Sequence, residues 1–122
     1  MDINTNSGFK FEKLVVWQKA MTLGENINSI SSNFPSKELY NLSSQIQRAA
    51  DSIALNISEG AIVQSPPEYK KFLSYSIRLL AEVVTFLHKV KLREYISDSE
   101  FNKLYEFTFN LMNMLIAFRN KI

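Results

Sequence analysis

The 122-residue sequence predicts an all-α protein, folded as an antiparallel up-down-up-down four-helix bundle. Apolar residues recur three and four positions apart over long stretches, which is the spacing of one helix face. Only three glycines and three prolines occur, mostly where helices are expected to begin or end. The links between the stretches are short, so consecutive helices should lie side by side in opposite directions. With 46% hydrophobic residues the chain can bury one core, and we expect a single domain over residues 9–122.

The first two helices are delimited by their flanking residues. Residues 1–8 are polar and show no apolar repeat, so we expect a flexible N-terminal leader there. The first helix is predicted over about residues 12–33, with Pro35 ending it. The second is predicted over about residues 37–59, with Gly60 as its C-cap.

Helices three and four each open with a capping box. The third is predicted over residues 66–95 and follows "SPPE", in which Ser65 is the N-cap and proline occupies the first turn. The fourth is predicted over residues 98–120 and follows "SDSE", which begins at Ser97. The predicted seam of helix three is Tyr69, Phe72, Ser76, Leu79, Val83, Phe86 and Val90. The predicted seam of helix four is Phe101, Leu104, Thr108, Leu111, Leu115, Phe118 and Ile122.

Both of these helices carry apolar residues beyond their seams. A bundle helix needs one apolar stripe, and concentrated excess indicates a surface for a partner, most simply a homo-oligomer. The alternative is scattered apolar exposure, which is normal in globular proteins. The additional residues are Leu73, Leu80 and Leu87 on helix three and Phe107, Phe109, Met114 and Ile116 on helix four.

The composition argues against most catalytic chemistries. The chain has no cysteine, which excludes disulfides and thiolate nucleophiles and fits a reducing compartment. The single histidine, His88, has no second histidine at metal-ligand spacing, and neither a phosphate-binding glycine loop nor a nucleophile elbow is present. We therefore predict no enzyme activity and no cofactor. Without a signal peptide or a long apolar run, we expect a cytoplasmic protein with no membrane partner.

Helix three also carries a basic face. The net charge of +2 is too close to balance to indicate nucleic-acid binding, so the distribution of charge has to decide. Four of its cations lie within about 60° of one another on a helical wheel, and two more widen the patch. We predict that this face contacts RNA phosphates. The alternative is an ordinary solvated face, since Glu82 lies within it. The candidate nucleic-acid-binding residues are Lys70, Lys71, Arg78, Lys89, Lys91 and Arg93.

A stripe of polar residues runs along helix two, in "QIQRAADSIALNISEG". Its members recur three or four positions apart and form a sector about 80° wide. We favour a structural network, in which Ser52 and Asn56 make hydrogen bonds across a close helix contact and Arg48 pairs with a carboxylate. The alternative is a binding site on the same stripe. The polar stripe consists of Gln45, Arg48, Ser52, Asn56 and Glu59.

The same segment, with its pattern Q-x-x-R-A-A-x-S-I-x-x-N-I-x-E-G, resembles a known family. It is similar to the small four-helix-bundle proteins encoded by intervening sequences in bacterial 23S ribosomal RNA genes. Three more motifs agree: "FEKLVVWQKA", "FPSKELYNL" and "EYKKFL". The resemblance covers about residues 9–118. It implies an all-α fold similar to the accessory protein of diversity-generating retroelements, a ring-like pentamer that binds RNA and its reverse transcriptase.

One departure from that pattern concerns assembly. The family's third helix usually shows A-x-G-S-x-x-E, whereas this chain has Ser76, Arg78, Leu79 and Glu82 at those positions. Larger side chains prevent a close helix approach, so the size of the oligomer is open at this point. Two functions follow. The first is a non-enzymatic, homo-oligomeric RNA-binding accessory protein, with a pentamer suggested by the resemblance. The alternative is a scaffold that receives a protein partner on the apolar surplus of helix four.

Overall fold

A computed structural model describes residues 8–122, so the predicted leader, apart from Gly8, lies outside the described residues. The described residues form four α-helices and two short 3-10 helices, and they contain no strand. None of the helices between residues 8 and 122 has the length and hydropathy to span a lipid bilayer. The α-helices are α1 (Val15–Ser31), α2 (Leu42–Ile62), α3 (Pro66–Leu92) and α4 (Asp98–Asn120). The 3-10 helices are Lys10–Lys13 and Ser36–Glu38.

Five of the predicted helix ends differ from the structure. Helix α1 ends at Ser31, before Pro35, and α2 runs from Leu42 to Ile62 rather than over residues 37–59, because Ser36–Glu38 forms a separate 3-10 helix. The start of α1 and the end of α3 differ because of local backbone geometry. Helix α1 begins at Val15 because Leu14, between it and the preceding 3-10 helix, is extended, with φ −73° and ψ 124°. Helix α3 ends at Leu92, and Glu94 then adopts a positive φ of 62° that no helix accommodates. Helix α4 begins after Ser97, whose side chain accepts a hydrogen bond from the backbone N–H of Glu100 at 3.1 Å.

Gly60 is not the C-cap of α2, so that prediction is wrong. The helix continues to Ile62, and the positive φ after it, 56°, belongs to Gln64. The glycine serves close packing instead. A Cβ at Gly60 would lie 2.8 Å from Cβ of Phe72 and 3.0 Å from Cδ1 of Tyr69. Helices α2 and α3 therefore approach each other closely at this position, which only a residue without a side chain permits.

Each helix packs against two others. Helix α2 contacts α1 and α3, and α4 contacts α3 and α1. Side-chain hydrogen bonds cross these contacts. The hydroxyl of Ser76 donates to the carbonyl of Ile53 at 2.8 Å, and the guanidinium of Arg119 donates to the hydroxyl of Ser74 at 3.2 Å. The centre of the core contains fully buried aliphatic side chains from all four helices: Leu23, Ile27, Ile46, Ile53, Ile57, Leu73, Leu80, Leu87, Leu111 and Leu115.

The apolar surplus predicted on helix three is core, so its interpretation as a partner surface is wrong. Leu73, Leu80 and Leu87 are completely buried, whereas four of the predicted seam residues are only half-buried. Because α3 packs against both α2 and α4, its buried sector is wide and is centred on the leucines. The half-buried seam residues are Tyr69, Phe72, Leu79 and Phe86.

The surplus predicted on helix four is mostly packed within the chain. Phe107 and Met114 are partly buried against the core, and the Lys19 ammonium lies 5.6 Å from the ring centroid of Phe107. Ile116 is half-buried. Phe109 alone of the four is exposed, with 55% of its surface accessible. The apolar surface available on α4 is therefore much smaller than the sequence suggested.

Candidate nucleic-acid interface

Three of the six predicted cations form a straight, exposed row along α3. Lys71, Arg78 and Lys89, here called the cationic line, lie within about 20° of one another on the helical wheel. Lys89 follows Lys71 by 18 positions, which corresponds to about 27 Å along the helix. The guanidinium of Arg78 also lies 5.9 Å from the ring centroid of Tyr75. The cationic line therefore presents three positive charges to solvent on the outer surface of α3.

The other three cations do not extend this row. Lys70 is exposed but is rotated about 80–100° from the cationic line. The Lys91 ammonium is turned toward α4, where it lies 4.4 Å from the ring centroid of Phe101 and 4.0 Å from Asp98 Oδ1. Arg93 is held in an ion pair with Glu38. The predicted continuous patch is therefore reduced to the cationic line, because Lys70 lies in another sector of the helix and Lys91 and Arg93 have partners within the chain.

Glu38 is a buried carboxylate that the sequence analysis did not single out. It accepts hydrogen bonds from the Tyr95 hydroxyl at 2.7 Å, from Arg93 Nη1 at 2.6 Å and from Asn41 Nδ2 at 3.0 Å. The Tyr95 ring also packs on Phe34, with centroids 5.6 Å apart. These contacts join the link before α2 to the link before α4. Glu38 lies within the quoted "FPSKELYNL" motif, which was the signal available for finding it.

The hydrogen bonds shift the pKa values of this cluster. The hydrogen bond from Tyr95 contributes most to lowering the pKa of Glu38 below its ordinary 4.5; Arg93 and Asn41 lower it further, whereas burial opposes them. The carboxylate in turn raises the pKa of Arg93 and of Tyr95, in both cases chiefly through its hydrogen bond. At neutral pH these shifts favour the ionised carboxylate of Glu38, the protonated guanidinium of Arg93 and the neutral hydroxyl of Tyr95, which are the forms that make the hydrogen bonds.

The lowered pKa of Glu38 predicts a specific acid sensitivity. Because the folded-state pKa lies below the unfolded value, ionised Glu38 stabilises the fold above pH 4.5, and this contribution is lost as pH falls through the folded-state pKa. Replacing Tyr95 by phenylalanine removes the largest cause of the shift. We therefore expect Tyr95→Phe to be less stable than wild type at pH 7 and to lose less stability on acidification, measured by urea unfolding between pH 7 and pH 3.

Tyr40→Phe is the matched control, because Tyr40 is 92% exposed. Its unfolding should follow the wild type at every pH. If the free energy of unfolding of Tyr95→Phe changed with pH in parallel with that of the wild type, the role of Tyr95 in lowering the pKa of Glu38 would be contradicted.

The polar stripe of α2 bonds mainly to its own helix. Ser52 donates to the carbonyl of Arg48 at 2.8 Å, and Asn56 Nδ2 donates to the carbonyl of Ser52 at 2.9 Å. Gln45 Nε2 donates to Asn41 Oδ1 at 3.1 Å. The predicted hydrogen bonds from Ser52 and Asn56 across a helix contact are therefore absent within residues 8–122. Ser and Asn have short side chains that reach the carbonyl one turn earlier, and this local partner satisfies them here.

The remaining members of the stripe face solvent. Arg48 and Glu59 are exposed, and neither has a side-chain partner in the described part of the chain. The hydrogen bond that joins α2 to α3 comes from Ser76, which is fully buried and donates to the carbonyl of Ile53. The pairing of Arg48 with a carboxylate stays a prediction.

Exposed apolar side chains are concentrated around α1 and α2. A groove of about 540 Å³ between these helices is lined by the aromatic rings of Phe11 and Trp17 and by the exposed side chains of Met21 and Leu55. The Phe11 and Trp17 rings meet edge to face with centroids 5.4 Å apart. The apolar surplus predicted partner surfaces on helices three and four, whereas this groove lies between the first two helices of the chain.

No group of three or more potential metal-ligating side chains comes together among residues 8–122. His88 is exposed and packs edge-on against Phe101, with ring centroids 5.0 Å apart. These contacts define the protein as an all-α, four-helix protein whose main surface features are a cationic line, a polar stripe and an apolar groove.

The chain belongs to the 23S rRNA-intervening sequence protein family, whose model matches residues 12–117. The resemblance predicted from its four motifs is thereby confirmed. Among solved structures, the fold is similar to the crystal structure of a protein of unknown function from the S23 ribosomal protein family of Bacteroides thetaiotaomicron. The TM-score is 0.80 at 21% identity, over 87% of this chain and 96% of that chain. No match was found among curated proteins.

Proposed function

We propose that this protein is a non-enzymatic, homo-oligomeric accessory protein of the bacterial cytoplasm that binds RNA through the phosphate backbone. The observation that carries the proposal is the cationic line, Lys71, Arg78 and Lys89, exposed over about 27 Å of one helix. A row of this kind attracts phosphates with little dependence on sequence. Glu82 lies on the same helix, so the attraction is expected to be moderate for one subunit.

The proposal includes an antiparallel up-down-up-down bundle. The contacts between α2 and α3 support it, because Gly60 lies near Tyr69 while Ile53, earlier in α2, accepts from the later residue Ser76. Helices α3 and α4 also run in opposite directions. His88, late in α3, lies beside Phe101 at the start of α4, and Ser74, early in α3, is bonded to Arg119 at the end of α4. Because α3 packs against only two of the described helices, α2 and α4, its outer side is exposed, and the cationic line lies there.

Self-association supports the same function. A ring of identical subunits repeats the cationic line, and affinity for RNA grows with the number of phosphates neutralised. The apolar groove of α1 and α2, with exposed Met21 and Leu55, is the surface that we assign to the subunit contact. We further infer that Arg48 and Glu59 of the polar stripe meet a neighbouring subunit, and that the oligomer is a pentamer, as the family resemblance suggests.

The alternative function is a scaffold that receives a partner helix on α4. Its remaining support is the exposed ring of Phe109, because Phe107 and Met114 pack within the chain. A helix docked in a groove needs several apolar anchors spaced along one face. We therefore rank the scaffold below RNA binding.

Charge reversal on the cationic line tests the proposed function. We expect Lys71→Glu/Lys89→Glu to bind RNA at least about tenfold more weakly than wild type, since two phosphate contacts are lost and two repulsions are gained. The slope of log affinity against log salt should fall by about 1.4 for single-stranded RNA. The measurement is fluorescence anisotropy of a labelled RNA between 50 and 300 mM salt.

The control is Lys10→Glu/Lys37→Glu, which changes net charge equally at two exposed lysines outside α3. It should retain most of the affinity. Equal losses in the two double variants would show that net charge alone matters, and absence of RNA binding by the wild type at low salt would reject the proposed function.

A further inference from the structure

Three aromatic residues of α4 form a row beside α3, the helix that carries the cationic line. Phe101, Tyr105 and Phe109 follow one another at intervals of four residues and are here called the aromatic ladder. The rings of Phe101 and Tyr105 are stacked, with centroids 5.7 Å apart and planes 27° apart. The rings of Tyr105 and Phe109 are closer to parallel, with centroids 6.5 Å and planes 12° apart. Exposure increases along the ladder from 6% to 38% to 55%.

The inner end of the ladder is held by α3. The His88 ring lies edge-on to Phe101 at 5.0 Å and to Tyr105 at 6.1 Å between centroids, and the Lys91 ammonium lies 4.4 Å from the centroid of Phe101. Tyr105 in turn supports Phe109 through the stacked pair. The exposed rings are therefore already ordered, and a ligand that stacks on them loses little side-chain entropy on binding.

The ladder and the cationic line border the same outer surface of α3 and α4. His88, which contacts two rings of the ladder, directly precedes Lys89 of the cationic line. One residue corresponds to about 100° of rotation, which turns Lys89 from the α4 side of α3 toward solvent. Aromatic faces and positive charges thus lie side by side, an arrangement that suits nucleic acid with unpaired bases.

The surroundings of the exposed rings favour nucleobases over an apolar protein surface. Neighbouring positions on the solvent side of α4 carry the exposed residues Asn102, Glu106 and Asn113. Because the Glu106 carboxylate repels phosphate, the RNA backbone is expected on the α3 side of the rings, where Lys89 lies. A protein hot spot is typically surrounded by further contacts that exclude water, which these side chains do not provide. Asparagine side chains can instead donate to and accept from base edges.

We propose that unpaired bases of RNA stack on Phe109 and Tyr105 while Lys89 contacts the adjoining backbone, so that the protein prefers single-stranded to duplex RNA. This inference rests on the proposed RNA-binding function. In duplex RNA the faces of the bases are covered by their neighbours, and proteins read the shape and the backbone instead. The cationic line can contact the phosphates of both forms of RNA, whereas the aromatic ladder can stack only on the unpaired bases of the single strand.

Leucine substitutions separate stacking from general apolar contact. Phe109→Leu and Tyr105→Leu keep an apolar side chain and remove the aromatic face. We expect each variant to bind a 15-nucleotide oligouridylate, whose bases are largely unstacked, about tenfold more weakly than wild type, because stacking on one ring contributes substantially per base. Binding of a 15-base-pair duplex RNA should change less than twofold. Fluorescence anisotropy with both labelled RNAs provides the measurement.

The controls distinguish this inference from the function on which it rests. Tyr40→Leu changes an aromatic residue that is 92% exposed and lies outside α4, and it should bind both RNAs as the wild type does. The stacking proposal alone would be overturned if Phe109→Leu bound both RNAs with wild-type affinity, or if it lost the same factor of affinity for the two RNAs. No binding of either RNA by the wild type would overturn both proposals. Light scattering checks that the oligomer mass of Phe109→Leu equals that of the wild type. A changed mass together with equal losses of affinity for the two RNAs would assign Phe109 to a subunit contact and would also overturn the stacking proposal.

Discussion

Replacing Leu80 by alanine is expected to lower the free energy of unfolding by about 2–5 kcal/mol, a large fraction of the stability of a small domain. Leu80 is completely buried at the centre of α3, among leucines from the same helix and aliphatic side chains of the other helices. The substitution removes apolar contacts and leaves a cavity that close packing cannot fully collapse. Urea unfolding followed by circular dichroism measures the loss.

Leu79→Ala is the matched control, since it makes the same chemical change one residue away. Leu79 is half-buried at the edge of the core, so we expect a loss of only about 1–2 kcal/mol. The sequence pattern predicted the opposite order, with Leu79 in the seam and Leu80 in the surplus. A larger loss for Leu79→Ala would contradict the structure. A change in oligomer mass on Leu80→Ala, without a loss of stability, would restore the partner-surface interpretation.

Replacing Gly60 by alanine is expected to destabilise the protein by about 1–3 kcal/mol through overpacking. This is the reverse of the usual effect, because alanine is favoured over glycine within a helix by about 1 kcal/mol. The new Cβ would lie 2.8 Å from Cβ of Phe72, an atom that the backbone of α3 holds in place. Relief of the clash requires α2 and α3 to separate, which weakens the packing around it. Thermal unfolding provides the measurement.

Gly24→Ala is the control for helix propensity. Gly24 lies inside α1, and a Cβ there would meet the terminal Oδ1 atom of Asp51 at 3.0 Å. That carboxylate is the free end of an exposed side chain and can move, although it accepts a hydrogen bond from Asn28. We expect Gly24→Ala to be neutral or slightly stabilising. Equal destabilisation by both alanines would show that the close approach at Gly60 has no special effect.

The candidate interface was only partly predictable from spacing. Helical periodicity correctly places Lys71, Arg78 and Lys89 along one exposed line, because their relative angles depend only on the regular helix. Periodicity carries no information about the partners of a side chain. Arg93 lies near the same line, yet it is paired with Glu38, which is 55 residues away in the sequence. Lys91 likewise has a partner in the next helix, because its ammonium lies near the carboxylate of Asp98 at the start of α4.

The aromatic ladder illustrates the same division. Its spacing of four residues was visible in the sequence, but Phe101 was assigned to the seam and Phe109 to the surplus, and Tyr105 was not considered. Whether three aromatic residues form a ladder depends on how far the neighbouring helix covers each ring. Helix α3 covers Phe101 almost completely and leaves Phe109 open. That difference arises from the crossing of two helices, which no single segment encodes.

The amino-acid sequence was enough to establish the all-helical class, the number of α-helices and the family, because apolar periodicity, N-caps and short motifs act over a few neighbouring residues. Packing decided the rest. The burial of Leu80 rather than Leu79, the close approach at Gly60 and the pairing of Glu38 with Arg93 and Tyr95 each depend on the relative placement of distant helices. Small shifts between helices change these contacts while leaving local patterns unaltered, so only the folded arrangement specifies them.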